Sequence, residues 1–319
     1  EEQRLAIATA QYFGVVGNGR LHVVDIVSSG AVQAPALHAV ASQQPSTVFV
    51  DVAAFDAPQG LYDCTWNEAN QFQIATASAD GSIALWDLGV GDGFPVMRWH
   101  EHSQEVASVD WNLVDKATFV SSSWDGTVKL WAPEGGQGQA LTTFQAHGGP
   151  VYNAIWSPHS PSIFASCSGD QTVRVWDVSG PAPALTIKAH DDEVLAVDWD
   201  KYSEWSLATG SVDRTIRTWD TRFPAAPVHV LIGHGYSIKR LKCHPHVPSC
   251  LGSVSYDMSA CLWDARPQGA GLIGRSSHTE FVVGLDFNLF VPERLVTCGW
   301  DRRVTLWDAP INPALLPAS

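Results

Sequence analysis

Histidine, aspartate and hydroxyl side chains recur in this chain at spacings that could support catalysis. For example, His102 is followed by Ser123 and Asp125, and a serine, a histidine and an aspartate that meet in space can form a nucleophilic triad. Two pairs of histidines could also each provide two ligands for a metal ion. No third ligand at a usable spacing accompanies either pair, so the sequence predicts no metal site. The pairs are His100-Glu-His102 and His244-Pro-His246.

The wider spacing of these residues argues against catalysis. Six tryptophans recur at nearly equal intervals, and each has an aspartate six residues before it. Each of the last five also has a histidine at one fixed distance before it, as His102 stands before Trp131. A second tryptophan precedes the first four at another fixed distance, where the last two have Cys243 and Phe287. Since one catalytic triad would not recur five times in register, the repetition predicts a repeated structural unit. The six tryptophans are Trp86, Trp131, Trp176, Trp219, Trp263 and Trp307.

The segments between these markers alternate apolar and polar residues. Residues 106–111 read VASVDW and residues 119–131 read FVSSSWDGTVKLW, and this alternation predicts four short antiparallel strands per repeat. The unit resembles the WD repeat, whose copies form the blades of β-propellers. In that family a tryptophan, a strand serine or threonine, a loop histidine and a turn aspartate form a hydrogen-bonded chain in each blade. The resemblance assigns such chains to His102, Ser123, Asp125 and Trp131, to His147, Ser168, Asp170 and Trp176, and to His190, Ser211, Asp213 and Trp219.

We therefore predict an all-β fold, a seven-bladed β-propeller of four-stranded antiparallel blades, in which residues 1–319 form a single domain. Near the N-terminus, Asn18-Gly19 forms a predicted hairpin turn and Asp25 ends a degenerate seventh repeat. Six full repeats and this half repeat give 26 strands, so blade 1 is partial and residues before Glu1 are expected to supply the missing strands. The repeats are expected to end near Asp25, Asp87, Ala132, Asp177, Asp220, Asp264 and Asp308.

The composition argues against several classes of function. The 319 residues include 19 lysines and arginines against 33 aspartates and glutamates, a formal charge of −14, which argues against a nucleic-acid partner because basic residues provide most of that affinity. We find no secretory signal and no apolar run typical of a membrane span. The six cysteines form no CxxC pair and predict a reduced, cytoplasmic protein. The glycine-rich segment 14–19 precedes no predicted helix, so we predict no cofactor and no enzyme activity.

In the propeller family, the turns with the repeated aspartates and the loops with the repeated histidines lie on one face, around the mouth of the channel. The side chains expected there are the residue before each aspartate and two residues at the start of each innermost strand. The first set is Ala79, Trp124, Gly169, Val212, Tyr256 and Trp300, and the second is Gly60 with Tyr62, Glu105 with Ala107, Pro150 with Tyr152, Glu193 with Leu195, Ser237 with Lys239, and Phe281 with Val283.

These two sets are rich in aromatic residues for a solvated surface. Exposed tryptophan and tyrosine are typical of recognition surfaces, and two acidic residues stand among them. We therefore predict a groove for a partly apolar, basic peptide. A different interpretation is that Trp124 and Trp300 only pack against neighbouring loops. The residues predicted to bind the peptide are Tyr62, Glu105, Trp124, Tyr152, Glu193, Leu195, Tyr256, Phe281 and Trp300.

A narrower resemblance covers the chain from its first residues to about Pro310. Its segments include SSSWDGTVKLW (121–131), GHGYSIKRL (233–241) and SHTEFVVGLDF (277–287). It extends to positions outside the repeat pattern, namely Trp124, Tyr256, Glu280 and Phe281. In these segments the chain resembles the peroxin 7 family, the receptors for the type-2 peroxisomal targeting signal, in its plant and green-algal form.

This resemblance implies a cytoplasmic import receptor that cycles to the peroxisomal membrane and matrix. Its cargo would be thiolase-like proteins whose N-terminal helical signal has Arg-Leu, five variable residues and His/Gln-Leu, and these four residues fall on one helix face. The other partners would be the peroxisomal docking proteins and a co-receptor, which is either a long form of the type-1 signal receptor or a fungal-type protein. We assign Glu105 and Glu193 to the basic cargo residues, and the apolar ones to Trp124, Tyr152, Tyr256 and Trp300.

An alternative function is that of a substrate adaptor of a ubiquitin ligase. WD-repeat adaptors dock on such ligases through a short WDxR motif, and the chain contains WDTR at Trp219–Arg222 and WDAR at Trp263–Arg266. The motif is weak evidence, because the repeat already fixes its first two letters.

Overall fold

The computed structural model describes residues 3–11, 17–28, 47–91, 93–134, 138–266 and 269–308. These residues form antiparallel strands that are hydrogen-bonded into seven sheets. No helix in this part of the chain is long and apolar enough to cross a membrane. Each sheet consists of strands that follow one another in sequence, because short turns suffice to join antiparallel neighbours.

The strands of the first four sheets lie in chain order across each sheet. The first sheet contains β1 (Gln3–Ala10), β2 (Gly19–Ser28) and β3 (Thr47–Ala57). The second contains β4 (Leu61–Trp66), β5 (Gln73–Ser78), β6 (Ser82–Asp87) and β7 (Met97–His100). The third contains β8 (Val106–Trp111), β9 (Phe119–Ser123), β10 (Thr127–Trp131) and β11 (Thr142–Gln145). The fourth contains β12 (Val151–Trp156), β13 (Ile163–Ser168), β14 (Thr172–Asp177) and β15 (Pro183–Lys188).

The remaining three sheets continue this order. The fifth contains β16 (Val194–Trp199), β17 (Ser206–Ser211), β18 (Thr215–Asp220) and β19 (His229–Ile232). The sixth contains β20 (Ile238–Cys243), β21 (Cys250–Ser255), β22 (Ser259–Asp264) and β23 (Gly271–Ser277). The seventh contains β24 (Val282–Phe287), β25 (Arg294–Gly299) and β26 (Val304–Asp308).

The predicted all-β architecture with seven antiparallel blades is confirmed. The described residues contain 26 strands, the number counted from the repeats. Five sheets have four strands, whereas the first and the seventh each have three within the described residues. The final aspartate of a repeat ends the third strand of a sheet, as Asp87 ends β6 and Asp177 ends β14. A sheet therefore takes its fourth strand from the beginning of the next repeat.

The chain divides into two compact units. The first contains the described residues up to Ser166 together with Val175–Ala184, and the second contains Cys167–Arg174 and the described residues from Leu185. In the first unit, one core cluster packs Trp99, Trp111, Phe119 and Trp131 together. In the second, a cluster packs Trp263 with Ile238, Leu241 and Leu251. The single domain over residues 1–319 stays a prediction.

The second strand of the third sheet is buried along its whole length. In β9, Phe119 and Val120 are followed by three serines that are also fully buried. A buried hydroxyl must find a hydrogen-bond partner inside the protein, so the serines predict polar contacts within the core. Those contacts form the network described below.

A β-bulge interrupts the pairing at the second residue of the first strand in five sheets. In the second sheet, Leu61 pairs with Ser78 and Asp63 pairs with Ala77, so that Tyr62 is the extra residue between two consecutive pairs. A bulged residue lies outside the register of the ladder and can turn its side chain in a new direction. The bulges coincide with the predicted second set of surface residues. The bulged residues are Tyr62, Ala107, Leu195, Lys239 and Val283.

Neighbouring sheets within each unit are joined by an aspartate that the sequence analysis did not single out. Asp110 Oδ2 accepts a hydrogen bond of 2.8 Å from the backbone N–H of Trp156 in the next sheet. Asp198 Oδ2 accepts one of 2.7 Å from the N–H of Cys243 in the same way. The sequence does carry a mark of this role, since both aspartates directly precede a repeated tryptophan in the motif VDW.

Candidate functional site

Each predicted hydrogen-bonded network of repeated polar residues centres on a buried hydroxyl. In the third sheet, Trp131 Nε1 donates to Ser121 Oγ at 2.8 Å. His102 Nε2 lies 2.8 Å from the same oxygen, and His102 Nδ1 lies 2.9 Å from Asp125 Oδ2. The predicted residue types are therefore in contact, but the hydroxyl belongs to Ser121 and not to Ser123.

The predicted serine is wrong by two positions in all three chains. Residues two apart in a strand point to the same face, so the predicted hydroxyl and the one that contacts the indole lie on one side of the sheet. At about 3.3 Å per residue, they stand roughly 6.6 Å apart along the strand. The predicted serines instead accept the backbone N–H of the turn aspartate at 3.1 Å. The hydroxyls that contact tryptophan and histidine are Ser121, Ser166 and Thr209, in place of Ser123, Ser168 and Ser211.

We expect Ser121→Ala to lower the free energy of unfolding by about 2 kcal/mol, because Trp131 and His102 would lose their shared partner in the core. In nitrogen-15 spectra, the indole N–H resonance of Trp131 should move toward that of an unbonded indole. Ser123→Ala is the matched control, since Ser123 is equally buried. A Trp131 resonance that moves only in Ser123→Ala would contradict the assignment.

The hydrogen-bonded network of the repeated polar residues in the sixth sheet carries charge. His234 Nδ1 lies 2.8 Å from Asp257 Oδ2. Burial alone lowers the pKa of His234, but the bond to Asp257 and the adjacent Cys261 thiol raise it to about 9. Burial also opposes ionisation of Asp257, yet the bonds from His234 and Ser259 lower its pKa. At neutral pH this histidine is therefore protonated, and a protonated imidazole has no lone pair with which to act as a general base.

The turn before five of the repeated aspartates is hydrogen-bonded to the start of the first strand in the same sheet. Trp124 N–H donates to Glu105 O at 3.0 Å, and Trp300 N–H donates to Phe281 O at 2.9 Å. The two sets of residues predicted at the surface are therefore direct neighbours within a sheet. The same bond joins Ala79 to Gly60, Val212 to Glu193, and Tyr256 to Ser237.

Three predicted residues of the first unit form what we call the first aromatic cluster, Tyr62, Trp124 and Tyr152. The Tyr62 and Trp124 rings stack with centroids 6.1 Å apart, and the Tyr152 ring meets Trp124 edge-on at 6.4 Å. Trp124 is 36% exposed, and both tyrosines are half-buried. Burial raises the pKa of Tyr62, and the charge of Glu105 raises it further. A carboxylate thus acts electrostatically on this cluster.

Three predicted residues of the second unit form the second aromatic cluster, Tyr256, Phe281 and Trp300. The Phe281 ring centroid lies 5.0 Å from those of Tyr256 and Trp300, which are 6.3 Å from each other. All three side chains are half-buried. Burial raises the pKa of Tyr256, so its hydroxyl keeps its proton and can donate a hydrogen bond. Each ring packs on its neighbours and still reaches the surface.

The prediction of an exposed Leu195 is wrong. Leu195 is only 9% exposed, and every residue of its strand β16 is buried. Its bulge therefore turns the side chain into the protein and not toward solvent. Glu193, two residues earlier, is half-buried, and its carbonyl oxygen accepts hydrogen bonds from Val212 N–H and the Ser211 hydroxyl.

The histidines of the pair His244 and His246 are occupied by hydrogen bonds. His244 is buried, and its Nε2 donates to Pro292 O at 2.9 Å. His246 Nε2 donates to Asn288 O at 3.1 Å. The pair is thus part of the packed structure. Among the residues that the structure describes, no group of three or more histidine, cysteine, aspartate or glutamate side chains could hold a metal ion.

The arginines of the two WDxR motifs pair with the aspartates of their own motifs. Arg222 Nη2 lies 2.6 Å from Asp220 Oδ2, and its guanidinium group stacks over Trp205. Arg266 Nη2 lies 2.5 Å from Asp264 Oδ2. Each arginine is therefore held in an ion pair within its own turn.

The chain is similar to known proteins over most of its length. The WD domain, G-beta repeat family matches residues 50–87, 93–132, 138–177, 182–220, 225–264 and 273–308, which confirms the predicted WD-repeat β-propeller. The "Peroxisomal targeting signal 2 receptor" of Dictyostelium discoideum is 50% identical over 292 residues, which are 90% of this chain and 85% of that protein.

Shorter stretches are similar in two other organisms. The protein of the same name in Homo sapiens is 42% identical over 107 residues, 34% of this chain and 27% of that protein. The "Peroxisome biogenesis protein 7" of Arabidopsis thaliana is 41% identical over 110 residues, 34% of this chain and 30% of that protein.

Proposed function

The chain belongs to the family of the peroxisomal targeting signal 2 receptors, and we propose that it binds the N-terminal helical type-2 signal of cargo proteins for import into the peroxisome. The observation that carries this proposal is the first aromatic cluster beside Glu105. It combines a partly exposed tryptophan with a nearby carboxylate, and such a surface suits a helix that presents leucine next to arginine.

The energetics of this surface match the chemistry of the signal. A leucine buried against aromatic rings gains roughly 1.5–3 kcal/mol. An arginine hydrogen-bonded to a carboxylate gains roughly 1.5–3 kcal/mol before ordering costs. We assign a leucine of the signal to Trp124 and Tyr152, and a basic residue of the signal to Glu105.

One face of a short helix supports only modest affinity, because ordering the peptide cancels part of these gains. We therefore include a co-receptor in the proposal, a long form of the type-1 signal receptor or a fungal-type protein, that covers the other face of the bound helix. In this scheme the receptor collects thiolase-like cargo in the cytoplasm and meets the docking proteins at the peroxisome. The names of the similar proteins support a role in recognition and not in catalysis.

A peptide-binding experiment tests the proposal. We expect Trp124→Ala to weaken binding of a fluorescent synthetic type-2 signal peptide by roughly 30-fold, about 2 kcal/mol, because it removes the central ring of the cluster. Glu105→Gln should weaken it roughly tenfold by removing the charge that faces the arginine. Fluorescence anisotropy gives both affinities, with and without a candidate co-receptor.

The matched control is Trp205→Ala, because Trp205 is a tryptophan of similar exposure, 44% against 36% for Trp124, outside both clusters. It should leave the affinity unchanged. An unchanged affinity in both Trp124→Ala and Glu105→Gln would reject the site, and so would an equal loss in Trp205→Ala.

A further inference from the structure

The second sheet lacks the histidine that the later sheets use. His102 stands at a fixed distance in sequence before Trp131. The residue at the same distance before Trp86 is Ala57, whereas the other five repeated tryptophans have a histidine there. The remaining members of the chain are present. Trp86 Nε1 donates to Thr76 Oγ1 at 2.9 Å, and Asp80 stands six residues before Trp86 as in the other five full repeats. One member of a repeated network is thus missing while its partners are retained.

A cavity of about 390 Å³ lies beside these partners. Its walls include Ala57, Thr76 and Trp86, which are all buried. Phe94, 72% exposed, and the half-exposed side chain of Arg98 also line it. Because the lining combines buried and exposed residues of one unit, the cavity reaches from solvent to the hydroxyl that binds the tryptophan.

The polar groups at this cavity have hydrogen-bonding capacity to spare. Besides accepting from Trp86, the Thr76 hydroxyl donates to Ala84 O at 3.4 Å, which is long for an O–H donor. Asp80 lies behind two residues of the cavity wall, Ser82 and Arg98. Its Oδ1 accepts the N–H and the hydroxyl of Ser82, and its Oδ2 accepts from Arg98 Nη2 at 2.6 Å. The equivalent Oδ2 in the third sheet lies next to the histidine ring. A carboxylate oxygen can accept a second bond, so a further N–H would bind at Oδ2.

The equivalent groups in the third sheet show what fits between them. There the ring of His102 lies 2.8 Å from the Ser121 hydroxyl and 2.9 Å from the Asp125 carboxylate. A hydroxyl on one side and a carboxylate on the other suit an imidazole ring, whose two nitrogens can bond to both groups. In its neutral form the ring accepts the hydroxyl hydrogen at one nitrogen and donates its N–H to the carboxylate. Neither an apolar ring nor an aliphatic chain would satisfy both groups.

We propose that the cavity of the second sheet binds an imidazole ring supplied from outside the chain. The ring accepts the Thr76 hydroxyl hydrogen and directs its N–H to Asp80, and it lies over the position of the Ala57 methyl group. It comes either from a small imidazole compound or from a histidine side chain on a partner protein. The cavity lining shares no residue with either aromatic cluster, and the proposed binding does not depend on the type-2 signal.

Titration with 4-methylimidazole tests the site at a pH where the ring is neutral. We expect a saturable shift of the Trp86 indole N–H resonance, assigned with Trp86→Phe, because the ring would accept the hydrogen of the hydroxyl to which the indole donates. Toluene, which has a similar shape without nitrogen, should bind at least about tenfold more weakly, since two hydrogen bonds are lost. A Gly-His-Gly peptide tests a histidine on a polypeptide against the free compound.

Ala57→His is the matched variant, because it supplies from the chain the ring that the other sheets have. It should fill the cavity, weaken 4-methylimidazole at least about tenfold and leave the affinity for the type-2 signal peptide unchanged. If Ala57→His does not fold, Ala57→Leu fills the same space. Absence of a saturable shift in the natural protein, or equal binding by the variant with the filled cavity, would overturn the proposal.

Discussion

Replacing Asp198 with alanine is expected to lower the free energy of unfolding by about 3–5 kcal/mol. Asp198 is fully buried, and its Oδ1 accepts hydrogen bonds from Lys201 Nζ at 2.8 Å and Trp199 N–H at 2.9 Å. Its Oδ2 accepts the Cys243 N–H that joins the fifth sheet to the sixth. The substitution leaves an ammonium group and two backbone donors without their acceptor, and breaking a buried ion pair on one side costs this much.

The repeat offers a matched control for this variant. Asp286 occupies the equivalent position in β24, but it is exposed and bonds to the N–H of Phe287 in its own strand. Asp286→Ala should therefore cost about 1 kcal/mol or less. Urea unfolding followed by tryptophan fluorescence measures both variants. Equal losses in the two would show that Asp198 contributes no more than a surface aspartate.

The stability of the protein is expected to fall by up to about 3 kcal/mol as the pH drops from 6.5 to 4, through His244. Burial lowers the pKa of His244 from its ordinary value of 6.5 to about 4, although its bond to Pro292 O opposes this. A lowered histidine pKa means that the fold favours the neutral ring. The contribution is therefore complete above pH 6.5 and is lost as the pH falls through the folded pKa.

The geometry of His244 explains why the ring resists protonation. Its Nε2 already donates to Pro292 O, and its Nδ1 accepts the N–H groups of His246 and Val247 at 3.0 and 3.1 Å. A proton on Nδ1 would face two hydrogen-bond donors. The asparagine at the same repeat position in the third sheet, Asn112, accepts two N–H groups in the same way with its Oδ1.

His244→Asn therefore keeps the turn and removes the titration. Its unfolding free energy, measured in urea at several pH values, should lack the step between pH 6.5 and 4 that the natural protein shows. The remaining histidines and carboxylates provide the same background in both proteins. If the two curves run parallel over this range, His244 does not cause the acid sensitivity.

The spacing of the six tryptophans, together with the degenerate repeat that ends at Asp25, was sufficient to predict the number of blades and the number of strands. Each of the six full repeats has Trp and Asp at fixed positions, so the pattern survives differences elsewhere. The hydroxyl of the network could not be chosen in the same way. Ser121 and Ser123 face the same side of β9, and only the position of the strand against Trp131 decides which of them meets the indole.

The aromatic residues of the candidate site were predicted more accurately than their surroundings. The resemblance to the propeller family placed Trp124 and Tyr62 on one face, and the structure stacks their rings. The prediction failed for Leu195, since alternation does not reveal that β16 is buried on both faces. It also missed the cavity beside Ala57, because a missing side chain leaves no residue to notice.

The bulge at the start of the first strands has an evolutionary consequence. Its middle residue stands outside the register of the ladder, so the residue type there is released from the demands of cross-strand pairing. The chain has tyrosine at 62, alanine at 107 and lysine at 239 in the same local geometry. Ligand preference can therefore diverge between relatives one position at a time, while the scaffold that presents it is inherited without change.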